Sequence, residues 1–193
     1  MSGQEDRSAD AIGRRLVELL GEPCVADVSS GGDRATVDVP PERWVDALRT
    51  ARDGLGCDFF DWLFAVDEGD DGFRVVAHLW SVADRFGVLV RTLLAPGAPT
   101  VDSVIDVYPG AAWHERETHE MFGIDIAGHP DLAPLLLPDG FEGHPLRKDF
   151  VLASRVAKAW PGAKEPGAEH GKRAPMRPPG VPAPGDWGPG GER

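Results

Sequence analysis

Residues 59–94 read FFDWLFAVDEGDDGFRVVAHLWSVADRFGVLVRTLL. Three runs rich in β-branched and aromatic side chains (FFDWLFAV, FRVVAHLWSV and FGVLVRTLL) are parted by the acidic turn DEGDDG and by ADR. Such runs suit a half-buried pleated surface, and connections this short favour antiparallel hairpins. Upstream, CVADV (24–28) and RATVDV (34–39) read as two more strands joined through SSGGD. Before them, Ile12, Leu16, Leu19 and Leu20 recur at helical spacing, with Ser8 or Asp10 as cap and Gly21 as stop. Pro40 and Pro41 open a second helix, where a missing N–H is harmless, and its apolar face carries Trp44, Leu48, Ala51 and Leu55. Two helices and about five strands in this order predict an α+β domain: a mixed or antiparallel sheet with helices packed on one face.

Pro96 and Pro99 close the sheet region, and a short helix is expected around 100–107. Residues 113–123, WHERETHEMFG, then form a charged helix that ends at Gly123. Beyond it, helical and strand periodicity stops. The segment IDIAGHPDLAPLLLPDGFEGHPLRKDF (124–150) is full of Gly and Pro, yet carries Leu132, Leu135, Leu136, Leu137, Phe141 and Leu146. Disorder goes with low hydrophobicity, so this irregular segment is expected to lie against something. The organisation that follows is a globular domain over 1–123, an extended docking segment over 124–160, and a flexible Pro/Gly-rich tail over 161–193.

The chain has 193 residues, 41% of them hydrophobic, and a formal net charge of −12. That acidity disfavours nucleic acid as a partner, since phosphates need a basic face. No apolar run approaches the roughly 20 residues that span a bilayer, and the polar start MSGQEDRSAD lacks the pattern of a secretory signal. The 2 cysteines, Cys24 and Cys57, fall short of the about four thiolates an iron–sulfur cluster takes. They are read as small buried hydrophobes.

The WHERETHEMFG stretch resembles a zinc helix, but in H-E-x-x-H the histidines are four apart. His114 and His119 are five apart and point some 140° from each other on a helix, so they cannot share one metal. The charges instead suggest an exposed mixed-charge helix, with Arg116 between Glu115 and Glu117 and one turn from Glu120, an i, i+4 pair worth about 0.2–0.5 kcal/mol. Trp113, Met121 and Phe122 beside them give the helix a second, apolar character that suits an interface. Gly128-His129-Pro130 with Asp131, and Gly143-His144-Pro145 with Leu146, Arg147, Lys148 and Asp149, display histidines from a stiff, extended backbone. No Gly-rich phosphate loop or dinucleotide fingerprint accompanies them.

Taken together, Trp-His-Glu-Arg-Glu-x-x-x-Met-Phe-Gly-Ile, Gly-His-Pro-Asp-Leu, and Leu-Leu-Pro-x-x-Phe-Glu-Gly-His-Pro-Leu-Arg-Lys-Asp-Phe resemble the signature of the 30-kDa-type subunit of respiratory complex I, its C subunit. The blocks span roughly 104–152. Glu120 stands where Asp is usual. The resemblance implies a cofactor-free subunit of the connecting module of proton-translocating NADH:quinone oxidoreductase. Its partner would be the quinone-site subunit, the D subunit of that complex. FMN, iron–sulfur clusters and quinone would sit in other subunits, and the chain would lie peripherally on the cytoplasmic side of the cell membrane. No catalytic, cofactor-binding or metal-binding residue is expected here. The implied interface is Trp113, Glu115, Arg116, Glu117, Glu120, Phe122, Gly123, the two Gly-His-Pro triplets at 128–130 and 143–145, Asp131, and 146–149. Glu115, Arg116 and Glu117 would pair across or beside it. Rival readings are the equivalent subunit of a membrane-bound hydrogenase or other donor-specific relative, a subunit of a complex lacking the NADH-oxidising arm, and a free-standing metal-dependent hydrolase using His114, His119, His129 or His144.

Overall fold

The computed structural model describes residues 8–28 and 34–151. The expected turn SSGGD and the tail over 161–193 lie outside the described residues.

Helix α1 (Ala9–Leu20) starts where the Ser8 side chain accepts the N–H of Ala11 and stops at Gly21, whose φ is 75°. It buries Ile12, Gly13, Leu16 and Leu20. Leu19, expected on that face, is 42% exposed, because the buried stripe turns past it. Strands β1 (Val25–Val28) and β2 (Ala35–Asp38) pair antiparallel. Pro41 begins a 3-10 turn that leads into α2 (Trp44–Leu55), closed by Gly56 in the left-handed conformation. Trp44, Ala47, Leu48 and Ala51 are fully buried along it.

The three runs that opened the sequence form β3 (Phe59–Asp67), β4 (Phe73–Ser81) and β5 (Phe86–Leu94), an antiparallel meander with a bulge between Phe60 and Trp62. The sheet order is β1-β2-β5-β4-β3, and β2 pairs parallel to β5. That single parallel contact makes the sheet mixed, and it follows from α2 crossing over between β2 and the meander. Leu63, Ala65, Val75, Ala77, Leu79, Val88 and Val90 alternate onto one buried face. The helices pack there. The opposite face carries Arg74, His78, Trp80 and Arg91.

Residues 100–107 are not a helix. Thr100–Asp102 form a short strand, β6, parallel to β7 (Asp125–Ala127), followed by one turn in which the N–H groups of Val107 and Tyr108 reach the carbonyl of Val104. Val101, Val104 and Val107 are all buried. Their spacing of three mimics a helix, but it comes from a strand and a turn on the same core. Helix α3 (Ala111–Phe122) then packs on β3. Nor does the core end at Gly123: Ile124 and Ile126 belong to it, so the body runs past the expected boundary and includes β7.

Candidate functional site

The WHERETHEMFG helix makes an extensive set of polar contacts within its own chain. Glu115 is 1% exposed. One carboxylate oxygen accepts the N–H of Val104 and the other the hydroxyl of Ser103, both at 2.7 Å. Burial pushes its carboxyl above the ordinary value, although these two bonds and His129 oppose the shift. His129 Nε2 lies 4.0 Å from that carboxylate and 3.2 Å from the carbonyl oxygen of Ala112, while the N–H of Asp131 reaches its Nδ1 at 3.0 Å. Nε2 donates to the Ala112 carbonyl, and Nδ1 accepts the N–H of Asp131. The histidine expected to be displayed is turned inward.

One turn along, Arg116 and Glu120 grip a single loop. Arg116 donates through Nε to the carbonyl of Ala133 and through Nη2 to that of Pro134, each at 2.9 Å. Glu120 accepts the N–H groups of Leu135, Leu136 and Leu137 at 3.1, 2.8 and 2.8 Å. Burial disfavours its charge, but those three donors together outweigh burial and hold the carboxyl below its ordinary value. A cation thus takes consecutive carbonyls and an anion takes the consecutive amides that follow. Arg116 makes its hydrogen bonds to backbone carbonyls rather than the expected carboxylate pairs, and its guanidinium lies 5.5 Å from the Trp113 ring centroid.

The last carbonyls of a helix have no partners within it. In α3 they find them downstream. The carbonyl of His119 takes the N–H of Gly123 at 2.8 Å. That of Glu120 takes His144 Nδ1 at 2.8 Å, that of Met121 the N–H of Leu146 at 3.1 Å, and that of Phe122 the Arg147 guanidinium at 3.3 Å. Gly123 has φ 69°, and a Cβ there would lie 2.5 Å from His144 Nε2. Glycine is required twice over, by conformation and by close approach. Arg147 also lies over the Phe73 ring at 5.0 Å, and the N–H of Lys148 donates to Asp67 at 2.8 Å. The second Gly-His-Pro segment is therefore the C-terminal cap of α3.

The strap over 128–151 is pinned by its backbone, packs Leu132 and Leu137 partly buried against the core, and leaves other apolar side chains outside. Leu136, Phe141, Leu146 and Val151 are exposed, as is Trp113 at 63%. The implied interface divides accordingly. Glu115, Glu120 and Phe122 are buried, and the His129 side chain is 2% exposed. Phe122 meets Phe64 and Phe73 edge-on. Arg116, Glu117, Gly123, His144, Pro145 and Arg147 are half-buried, whereas Trp113, Gly128, Pro130, Asp131, Gly143, Leu146, Lys148 and Asp149 are exposed. Glu115 cannot pair across an interface from its sealed position. Reading by residue type also missed Ser103 and Asp67, because a hydroxyl or turn carboxylate that anchors a distant segment has no local signature.

The histidines are dispersed. His114 lies edge-on to Phe60, and His119 Nδ1 donates to the carbonyl of Ile124. Among the described residues, no three His, Cys, Asp or Glu side chains are grouped to hold a metal. Burial is the main cause that pushes the Cys57 thiol up to about 12, which suits an inert core residue.

Residues 37–156 match the family described as respiratory-chain NADH dehydrogenase, 30 Kd subunit. The chain belongs to that family. Among relatives of this 30-kDa family, the NADH-quinone oxidoreductase C subunit of Roseiflexus castenholzii is 40% identical over 144 residues, covering 72% of this chain and 82% of its own. The corresponding C subunit of Rhodobacter capsulatus is 44% identical over 134 residues, 67% of this chain and 66% of its own. A solved trypsin-resistant fragment of Nqo5 superposes with a TM-score of 0.54 at 26% identity, covering 61% of this chain and 96% of the fragment. A chain of a membrane-bound sulfane sulfur reductase, an archaeal respiratory membrane complex, superposes at 0.61 with 26% identity, covering 73% of this chain and 84% of that one.

Proposed function

We propose that this chain is the peripheral 30-kDa-type scaffold of a proton-translocating NADH:quinone oxidoreductase, holding the quinone-site subunit in place while supplying no catalytic group. The observation that carries the reading is the strap. Its backbone is pinned by α3, and its apolar side chains Leu136, Phe141, Leu146 and Val151 are exposed on irregular chain. Exposed apolar groups on a preorganised frame suit a permanent protein partner, since ordering costs are met before binding. Membership of the 30-kDa family and about 40% identity to several C subunits of NADH-quinone oxidoreductase support the same complex. On this reading FMN, iron–sulfur clusters and quinone reside in neighbouring subunits, and the chain sits on the cytoplasmic side of the membrane. No helix among the described residues is long and apolar enough to cross it.

A second reading has one observation in its favour. The fold also occurs in a sulfane sulfur reductase, so the same scaffold role in a relative with another electron donor fits the geometry equally well. Affinity purification of the tagged full chain from mildly solubilised membranes tests both. Recovery with the quinone-site subunit and with flavin and iron–sulfur subunits is the expected result. Hydrogenase or sulfur-reductase partners would move the assignment to the relative. Recovery of the chain alone would overturn the scaffold role.

A further inference from the structure

The sheet face away from the helices contains a built feature that the strap does not explain. His78 is 3% exposed although it lies on that open face. Its Nδ1 lies 2.7 Å from Asp61 Oδ2, its Nε2 lies 3.5 Å from Arg34, and Trp62 and Trp80 flank its ring. Gly87 on the neighbouring strand makes room for it. A Cβ there would lie 2.6 Å from His78 Nε2 and 2.7 Å from Trp80. The arrangement holds one half-exposed carboxylate, Asp61 at 44%, at the mouth of an open cleft of about 360 Å³ lined by Phe59, Asp61, His78, Trp80 and Val82. Phe59 and Val82 are more than half exposed at its rim.

An aromatic wall beside a fixed carboxylate matches a cationic side chain: the ring faces attract positive charge and the carboxylate accepts its N–H groups. Asp58 stands at this same end of the sheet, its carboxylate accepting the N–H of Val82, and Asp84 lies on the adjoining turn. Arg34 Nη1 lies 3.5 Å from the far nitrogen of His78, whereas Asp61 meets the near one. A larger groove of about 680 Å³ beside α1 offers no such match, because its arginines, Arg14 and Arg15, are paired with Asp10 and Glu18.

We infer that this cleft is a second docking point, which receives an arginine or lysine side chain from a neighbouring protein subunit on the face opposite the helices. The inference rests on the assembly role proposed above and extends it from one contact surface to two. Asp61 is the residue that recognises the cation, and His78 positions it.

The test uses the intact complex in membranes. p-Benzoylphenylalanine replaces Phe59 at the rim of the cleft and, in a separate strain, Leu136 in the strap; crosslinked peptides are sequenced after irradiation. The expected result is a crosslink from position 59 to a segment of a different subunit that contains Arg or Lys. Asp61→Asn should cut its yield roughly tenfold and leave the crosslink from position 136 unchanged. Val82→Arg, which fills the cleft with a cation without touching His78, should do the same. A crosslink from position 59 to a segment without Arg or Lys, to lipid, to a second copy, or to nothing, with the one from 136 intact, overturns the cleft and leaves the assembly role standing. Loss of both crosslinks, with the chain recovered alone, overturns the assembly role.

Discussion

The sheet body and the strap are held by opposite means. The body is apolar burial: Leu16, Trp44, Leu48, Val75, Val88 and Val90 are fully enclosed, and each removes area from water at about 25 cal/mol per Å². The strap has less such burial, chiefly Leu132 and Leu137 against the core, and is fixed by polar anchors, with Arg116, Glu120 and the end of α3 taking up its backbone. Burial is summed over many side chains, so the loss of one lowers the stability of the whole body, whereas the loss of a fastening frees the strap locally. The difference teaches that a chain can present an ordered, apolar, non-repetitive surface without a core of its own, provided one helix supplies the partners its backbone lacks.

Mutations can break that contrast. The largest effect should come from the body. Trp44→Ala is expected to cost about 3–5 kcal/mol of global stability through a lost aromatic contact set and a residual cavity, read as a lower denaturant midpoint. Glu120→Ala should act differently: with three amides deprived of a charged acceptor, local opening becomes easier by about 2–3 kcal/mol. Amide exchange at Leu135–Leu137 should then rise at least about tenfold while the global midpoint barely moves. Equal protection before and after would show that the loop is held by something else. Gly123→Ala comes next, at about 1–2 kcal/mol, since it strains a left-handed residue and displaces His144. Faster exchange at Leu146, with α1 and α2 unaffected, would place the damage in the strap.

Two carboxylates on α3 should respond to pH in opposite senses. The folded-state value of Glu120 is depressed, so its anchoring is fully present above the unfolded Glu value of about 4.3 and is lost as pH falls through the lower folded value. Glu115 is raised. It therefore weighs against stability as pH rises above the unfolded value, until the folded value is passed. Glu115→Gln should accordingly remove that rising-pH loss and change stability near neutrality by less than about 1 kcal/mol. This is the smallest effect, checked by denaturation at several pH values from acid to neutral. A midpoint that fell sharply at every pH would mean that Ser103 and Val104 require two acceptor oxygens, which an amide does not offer.

Much of the body was readable from residue type. Runs of β-branched and aromatic residues along 59–94 placed three strands correctly, and Ser8, Gly21 and Pro41 stand where helix ends need them. The strand order was not readable, because pairing of β2 with β5 depends on a crossover and not on local pattern. The short helix expected around 100–107 is instead a strand and a turn that bury Val101, Val104 and Val107 at a spacing of three. For the site, the five-residue separation of His114 and His119 argued against a shared metal, and the two rings lie against different groups, Phe60 and the carbonyl of Ile124. What could not be read was the use of Arg116, Glu120 and His144 on backbone groups. Every residue has a carbonyl and nearly every one an amide, so nothing in the letters marks which of them a charged side chain will reach. Carboxylates near an arginine suggest an ion pair by proximity alone, and here the backbone won.

The capping of α3 also has a consequence for the order of synthesis. Two of its last carbonyls find their partners in His144 and Arg147, 24 and 25 residues further along the chain. At about 5–20 residues per second, a ribosome takes roughly one to five seconds to cover that distance. During that interval the final turn of the helix is finished only by water, so the nascent body can collapse around β3–β5 well before its most charged helix has acquired a stable end.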